Sequence, residues 1–181
     1  MDAQTNVTST GQKIRTVDIT VTAAMAALVF LGTYIFKIPT ISGYVHLGDC
    51  MILLTVALFG MKKGAIAGAI GGGLSDFIGG YFYWVVPTLL IKCMWAIVMG
   101  LIMHKVLKDK KGSFLIGAIV GGVLHIIAYT LVRVVLYGGK TAIIEIPALA
   151  FQTGAGIVIG FVIYMLLKKS GVAGRLSGMV K

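Results

Sequence analysis

Charge is what this sequence has least of. Only 12% of its 181 residues are charged, and 6 of them are Asp or Glu, whereas soluble chains run near a quarter charged. Cysteine is confined to 2 positions. Cys50 and Cys93 stand inside apolar runs with no C-x-x-C or Cys/His spacing around them, which argues against a disulfide scaffold or a thiolate metal site and leaves both as packing residues. Also missing are a P-loop, an H-E-x-x-H, a serine elbow, a kinase-type motif and the aspartate ladder of membrane phosphatidyltransferases. Nothing here offers a route to ATP hydrolysis, no cofactor or metal is called for, and an enzyme is disfavoured.

What fills the space is apolar. Hydrophobic residues make up 58%, the mean hydropathy is +0.98 and there are 25 glycines, the composition of an integral membrane protein with spans of about 20 residues. Residues 1–12 are polar and rich in Thr, Ser and Asn, and read as a disordered tail without the basic-then-apolar order of a signal peptide. The apolar runs predict six helices: Val17 to Phe36, a short one from Tyr44 or Asp49 to Met61, Gly64 to Gly80, Pro87 to Met103, Phe114 to Leu136, and Ala148 to Leu167. Lys62 and Lys63 mark a turn, and Pro87 and Pro147 each read as a helix start, where the missing N–H costs nothing. The fold class is therefore an all-α membrane protein, one six-helix bundle over residues 13–169 followed by a tail at 170–181.

Of the 16 Lys and Arg residues, all but Lys37, Lys92, Arg133 and Lys140 fall in the N-terminal tail, the Lys62-Lys63 turn, the Lys105 to Lys111 loop and the C-terminal tail. Net charge is +10, but clusters between apolar spans indicate orientation rather than nucleic acid, and they put those segments, with both termini, in the cytoplasm.

Against that frame the remaining polar residues collect at the outer end. His46 and Asp49 hang from the first outer loop with Tyr44, and Glu145 from the last. Asp76, Arg133 and Gln152 each lie about one turn inside their spans, and Lys92 lies roughly 7 to 8 Å in from Pro87. The inner half has loop cations, with His104 and Asp109 beside them, and Asp18. Gly117, Gly121, His125, Tyr129 and Arg133 recur every four residues, a ridge that is smooth at its inner end and polar at its outer end. Ionisable groups in a membrane helix are functional candidates by default. The candidate substrate-binding set is Tyr44, His46, Asp49, Asp76, Trp84, Lys92, Trp95, His125, Tyr129, Arg133, Glu145 and Gln152. Most have a structural alternative: Asp76 paired with Lys92 or Arg133 to neutralise charge, Asp49 or Glu145 at a helix N-terminus, Arg133 snorkelling to headgroups, His125 and Tyr129 bonding neighbouring helices, Trp84 and Trp95 as belt or packing residues. Small-residue stripes, Ala23, Ala24, Ala26 and Ala27 in the first helix and Gly64, Gly68 and Gly72 in the third, suit close helix packing.

Several of these motifs carry a resemblance. The alanine-rich first helix, Tyr44-Val45-His46-Leu47-Gly48-Asp49, the glycine-rich third helix ending Ser75-Asp76-Phe77-Ile78-Gly79-Gly80, and Pro87-Thr88-Leu89-Leu90-Ile91-Lys92 together resemble an S component of energy-coupling factor (ECF) vitamin transporters, of the riboflavin-type group, over residues 16 to 168. The resemblance implies a six-helix, multi-pass subunit in a bacterial cell membrane. Such a subunit takes a vitamin from outside and delivers it with a transmembrane scaffold (T) subunit and two cytoplasmic ATPases. It further implies that Ala23 and Ala27 match the Ala-x-x-x-Ala stripe that docks the scaffold. The candidate residues suit a neutral or zwitterionic heteroaromatic ring bearing hydroxyls, which favours pyridoxine or hydroxymethylpyrimidine, then riboflavin or pantothenate. A self-contained channel or secondary transporter is the main alternative, and a small membrane enzyme the third.

Overall fold

A computed structural model describes residues 15–180. The tail assigned to 1–12, Lys13 and Lys181 lie outside the described residues. The chain forms α1 (Thr16–Tyr34), a hairpin of β1 (Ile38–Pro39) and β2 (Tyr44–Val45), α2 (Asp49–Phe59), α3 (Met61–Ile78), α4 (Phe82–Gly100) continued by a π-helical turn (Leu101–Val106), α5 (Ser113–Tyr137), α6 (Gly139–Lys169) and a short α7 (Val172–Gly178). Four of these, α1, α4 with its π turn, α5 and α6, are long and apolar enough to cross a membrane. The 11-residue α2 is only about 16 Å long, half a bilayer core. In α3, Lys62, Lys63, Asp76 and a run of glycines dilute the apolar character.

Contacts run α3 to α4, α4 to α5, α5 to α6, α6 to α2 and α2 back to α3, so five helices close a ring. Helix α1 lies outside it, packed chiefly on α3, and buries only Ala26, Val29 and Thr33. One half of the ring is filled by Ile52, Leu53, Val56, Trp95, Met99, Met103, Phe114 and Ala118, a continuous apolar core. The other half holds a smaller cluster, Trp84, Ile91, Tyr129 and Leu149, and the buried polar residues.

The glycines of α3 face its neighbours, Gly64, Gly68 and Gly72 toward α2 and α4 and Gly71 toward α1. A Cβ at Gly71 would sit 2.5 Å from the Ala26 carbonyl oxygen, and one at Gly72 would sit 2.6 Å from Cδ of Lys92. These glycines let α1 and the Lys92 stem approach the α3 backbone. On α1, by contrast, Ala26 is buried while Ala23, Ala24 and Ala27 are exposed.

Three boundaries differ from the sequence reading. The α2–α3 break is Gly60, with φ +90, and Lys62 and Lys63 belong to the first turn of α3. Neither proline starts its helix. Helix α4 begins at Phe82, with Pro87 inside, and α6 begins at Gly139, with Pro147 inside. The residues preceding each proline have tertiary partners that outweigh the local preference: Trp84 is 5% exposed and Phe82 meets Phe77 edge-on at 5.6 Å, while Ala142 and Glu145 are buried. A freed carbonyl in a membrane helix is tolerated where neighbouring helices surround it. As a result Lys92 lies ten residues into α4, about 15 Å along it rather than half that. Glu145 and Gln152 lie well inside α6, not in a loop or its first turn.

Candidate functional site

The polar residues meet at the end of the ring where α3 stops, α4 starts, α5 stops and α6 starts. Gly80 (φ +80) and Gly138 (φ +84) make the two reversals in a left-handed conformation that suits glycine. Across this end lies the β1–β2 hairpin, with Ile38 opposite Val45 and Pro39 opposite Tyr44. It is held as a strap at both ends. At its base the Lys37 ammonium stands 4.5, 4.4 and 5.4 Å from the ring centres of Tyr34, Tyr44 and Tyr81, and donates to the Ser75 carbonyl at 3.2 Å. This is a cation–π cage, and burial lowers the pKa of the enclosed ammonium. At its tip the Ser42 N–H donates to Glu145 Oε1 at 2.8 Å, and Arg133 Nε donates to Ser42 Oγ at 3.2 Å.

Under the strap is a polar cavity of about 40 Å³. Gly43, Tyr44 and His46 roof it, Asp76 comes from α3, Trp84, Thr88 and Lys92 from α4, Tyr129 and Arg133 from α5, and Leu149 and Gln152 from α6. His46 and Gln152 also partition it from a second, apolar cleft of about 190 Å³ between Phe36, Val45 and Leu47 on one side and Phe151 and Ala155 on the other.

Its charges are mostly matched. Lys92 Nζ lies 2.5 Å from Asp49 Oδ1, both groups almost fully buried, and Gln152 Nε2 donates to Asp49 Oδ2 at 2.7 Å. Arg133 lies over the Trp84 ring, 5.3 Å from its centre, with Nη2 3.8 Å from Glu145 Oε2 and Nη1 without a partner. Asp76 is different. Its Oδ1 accepts the Tyr44 hydroxyl at 2.5 Å, its Oδ2 has no hydrogen-bond partner, and among the described residues it forms no ion pair.

The Gly48 N–H donates to His46 Nδ1 at 3.1 Å. On the α4–α5 wall, Tyr129 donates to Thr88 Oγ1 at 2.9 Å, and Trp84 Nε1 donates to the Tyr137 hydroxyl at 3.0 Å.

Eight of the candidate residues line the cavity: Tyr44, His46, Asp76, Trp84, Lys92, Tyr129, Arg133 and Gln152. Four stand behind it. Asp49 and Glu145 neutralise and orient Lys92 and Arg133. Trp95 is a core residue, donating to the Ala118 carbonyl at 3.2 Å in the space left by Gly121. His125 packs against Trp95, ring centres 4.3 Å apart and planes tilted by 36°, and bonds Thr153 Oγ1 at 3.1 Å, one turn deeper than Tyr129. The Asp76–Lys92 and Asp76–Arg133 pairs considered from sequence do not form, because Asp49 and Glu145 take those cations. Gly43, Thr88 and Leu149 line the cavity without having been singled out, and Lys37 and Ser42 support the strap. Small neutral residues carry no sequence signal of a site; Lys37 was visible only as an outer-loop cation.

Among known proteins, the chain matches, over residues 13–169, the family described as ECF-type riboflavin transporter, S component. It is also 36% identical over 132 residues to a protein of Pyrococcus woesei described as an uncharacterized protein in the gap 3' region, an alignment that spans 73% of this chain and 87% of the relative.

Proposed function

Since this chain belongs to the ECF-transporter S-component family, and is thus a substrate-binding membrane subunit of such a transporter, we propose that it captures a water-soluble vitamin or vitamin precursor in the strap-covered cavity. The observation that carries this reading is the cavity itself: four helices and the hairpin converge polar groups on one space, while the apolar core of Trp95, Met99 and Met103 closes the bundle beneath it. A site covered by a hairpin at one end and sealed by apolar core at the other suits capture and handover; a self-contained channel or secondary transporter needs a polar path through that core. In this reading the subunit is non-catalytic, as the family suggests, and its ATP hydrolysis comes from its partners.

In this reading six helices lie in the membrane, with α2 and the strap together completing one crossing, and both termini face the cytoplasm, as the basic clusters support. The domain is residues 13–169. The strap end then faces outward. Ligand entry moves the hairpin, because a cavity of about 40 Å³ holds little more than water. The ligands that fit best are pyridoxine and hydroxymethylpyrimidine, followed by riboflavin and pantothenate. Delivery involves a transmembrane T subunit and two ATPase subunits, with Ala23 and Ala27 on the free face of α1 as the docking stripe.

The test is to purify the protein in detergent, release what accompanies it, and identify that by mass spectrometry and titration calorimetry. A vitamin bound with a 1:1 stoichiometry, and no flux into liposomes until the T and ATPase subunits are added, is the expected outcome. Substrate flux by the chain alone establishes a self-contained transporter in its place.

A further inference from the structure

Asp76 is the one carboxylate of the cavity that no cation matches. Lys92 is taken by Asp49, and Arg133 is shared between Glu145, Ser42 and the face of Trp84. Lys37 is committed to its tyrosine cage and the Ser75 carbonyl. Lys92 and Lys37 therefore act on Asp76 only across space. The carboxylate is 4% exposed, lines the cavity, and keeps Oδ2 without a hydrogen-bond partner, with Thr88 beside it and Tyr44 on Oδ1. A buried charged oxygen left unmatched costs stability, and each such group in a native structure calls for an explanation, here a ligand that completes it. Arg133 Nη1 is the complementary vacancy, a buried donor with no acceptor on the same cavity.

We propose that Asp76 is the specificity-determining residue, selecting a nitrogen heterocycle that presents a positively charged or amidine-type N–H to Oδ2 and an oxygen to Arg133 Nη1. This rests on the vitamin-capture reading and narrows it. A pyridinium bearing a ring hydroxyl, or an aminopyrimidine bearing a hydroxymethyl group, meets both ends, with its ring against Trp84 and Tyr129. An imide N–H of the flavin type lies between two carbonyl oxygens, which repel a carboxylate. An acyclic carboxylate such as pantothenate brings an anion into the cavity of the unmatched Asp76 and presents no cationic or amidine-type N–H to Oδ2.

The experiment is calorimetric titration of the purified full chain with pyridoxine, hydroxymethylpyrimidine, riboflavin and pantothenate, for the wild type and for Asp76→Asn, with the melting temperature of each protein recorded alone. The expected result is binding of pyridoxine or hydroxymethylpyrimidine, weakened on the order of 10- to 100-fold in Asp76→Asn, with a melting temperature unchanged or higher. A variant that binds as tightly as wild type, or a wild type that binds only riboflavin or pantothenate, overturns the role of Asp76 and leaves capture standing. A melting temperature that falls in Asp76→Asn overturns it also, because the carboxylate is then structural. Absence of any bound or co-purified vitamin removes the capture reading together with this one.

Discussion

At the scale of single residues, the Asp49–Lys92 pair is the connection on which the site depends. Buried ions are held in place by their partners more than they hold the fold, so removing one partner is far costlier than removing both. Asp49→Asn is expected to destabilise the protein by about 3–5 kcal/mol, and Asp49→Leu combined with Lys92→Met to recover most of that loss, as read from thermal unfolding in detergent.

At the scale of elements, helix pairs here are set by how near two backbones come. Gly71→Val places a branched side chain against the Ala26 carbonyl and Val29, and is expected to loosen α1 from α3 at a cost of about 1–3 kcal/mol, measured as a lower unfolding temperature. The sequence made the helices legible because long apolar runs have few solutions in lipid, and it made the polar end legible because ionisable residues are rare there. Helix ends were another matter. Pro87 and Pro147 signal starts in isolation, yet Trp84 and Glu145 have partners elsewhere in the chain that extend α4 and α6 past them. The pairing of charges was also hidden, since Asp49, Asp76 and Glu145 are equivalent carboxylates until the strap and α6 bring two of them against cations. Trp95 and His125 looked the same as Trp84 and Tyr129 in a one-dimensional pattern. The turn of helix that separates core from cavity depends on where α4 begins.

At the scale of the whole molecule, the ring of α2 to α6 builds the cavity, and α1 carries the exposed alanines. Ala27→Trp is therefore expected to leave vitamin affinity within about twofold, as suits a surface change far from the site, while abolishing co-purification with the T and ATPase subunits and ATP-driven uptake in liposomes. Sidedness is checked by labelling single introduced cysteines: Ile41→Cys in the strap should react with a membrane-impermeant maleimide in intact cells, and Lys110→Cys only after the cells are broken open. The position of α1 outside the ring gives the proposed docking role an evolutionary corollary. In that reading, changes that retune which nutrient is accepted fall on one set of side chains and changes that alter which energising machinery is recognised fall on another, so the two traits would drift independently.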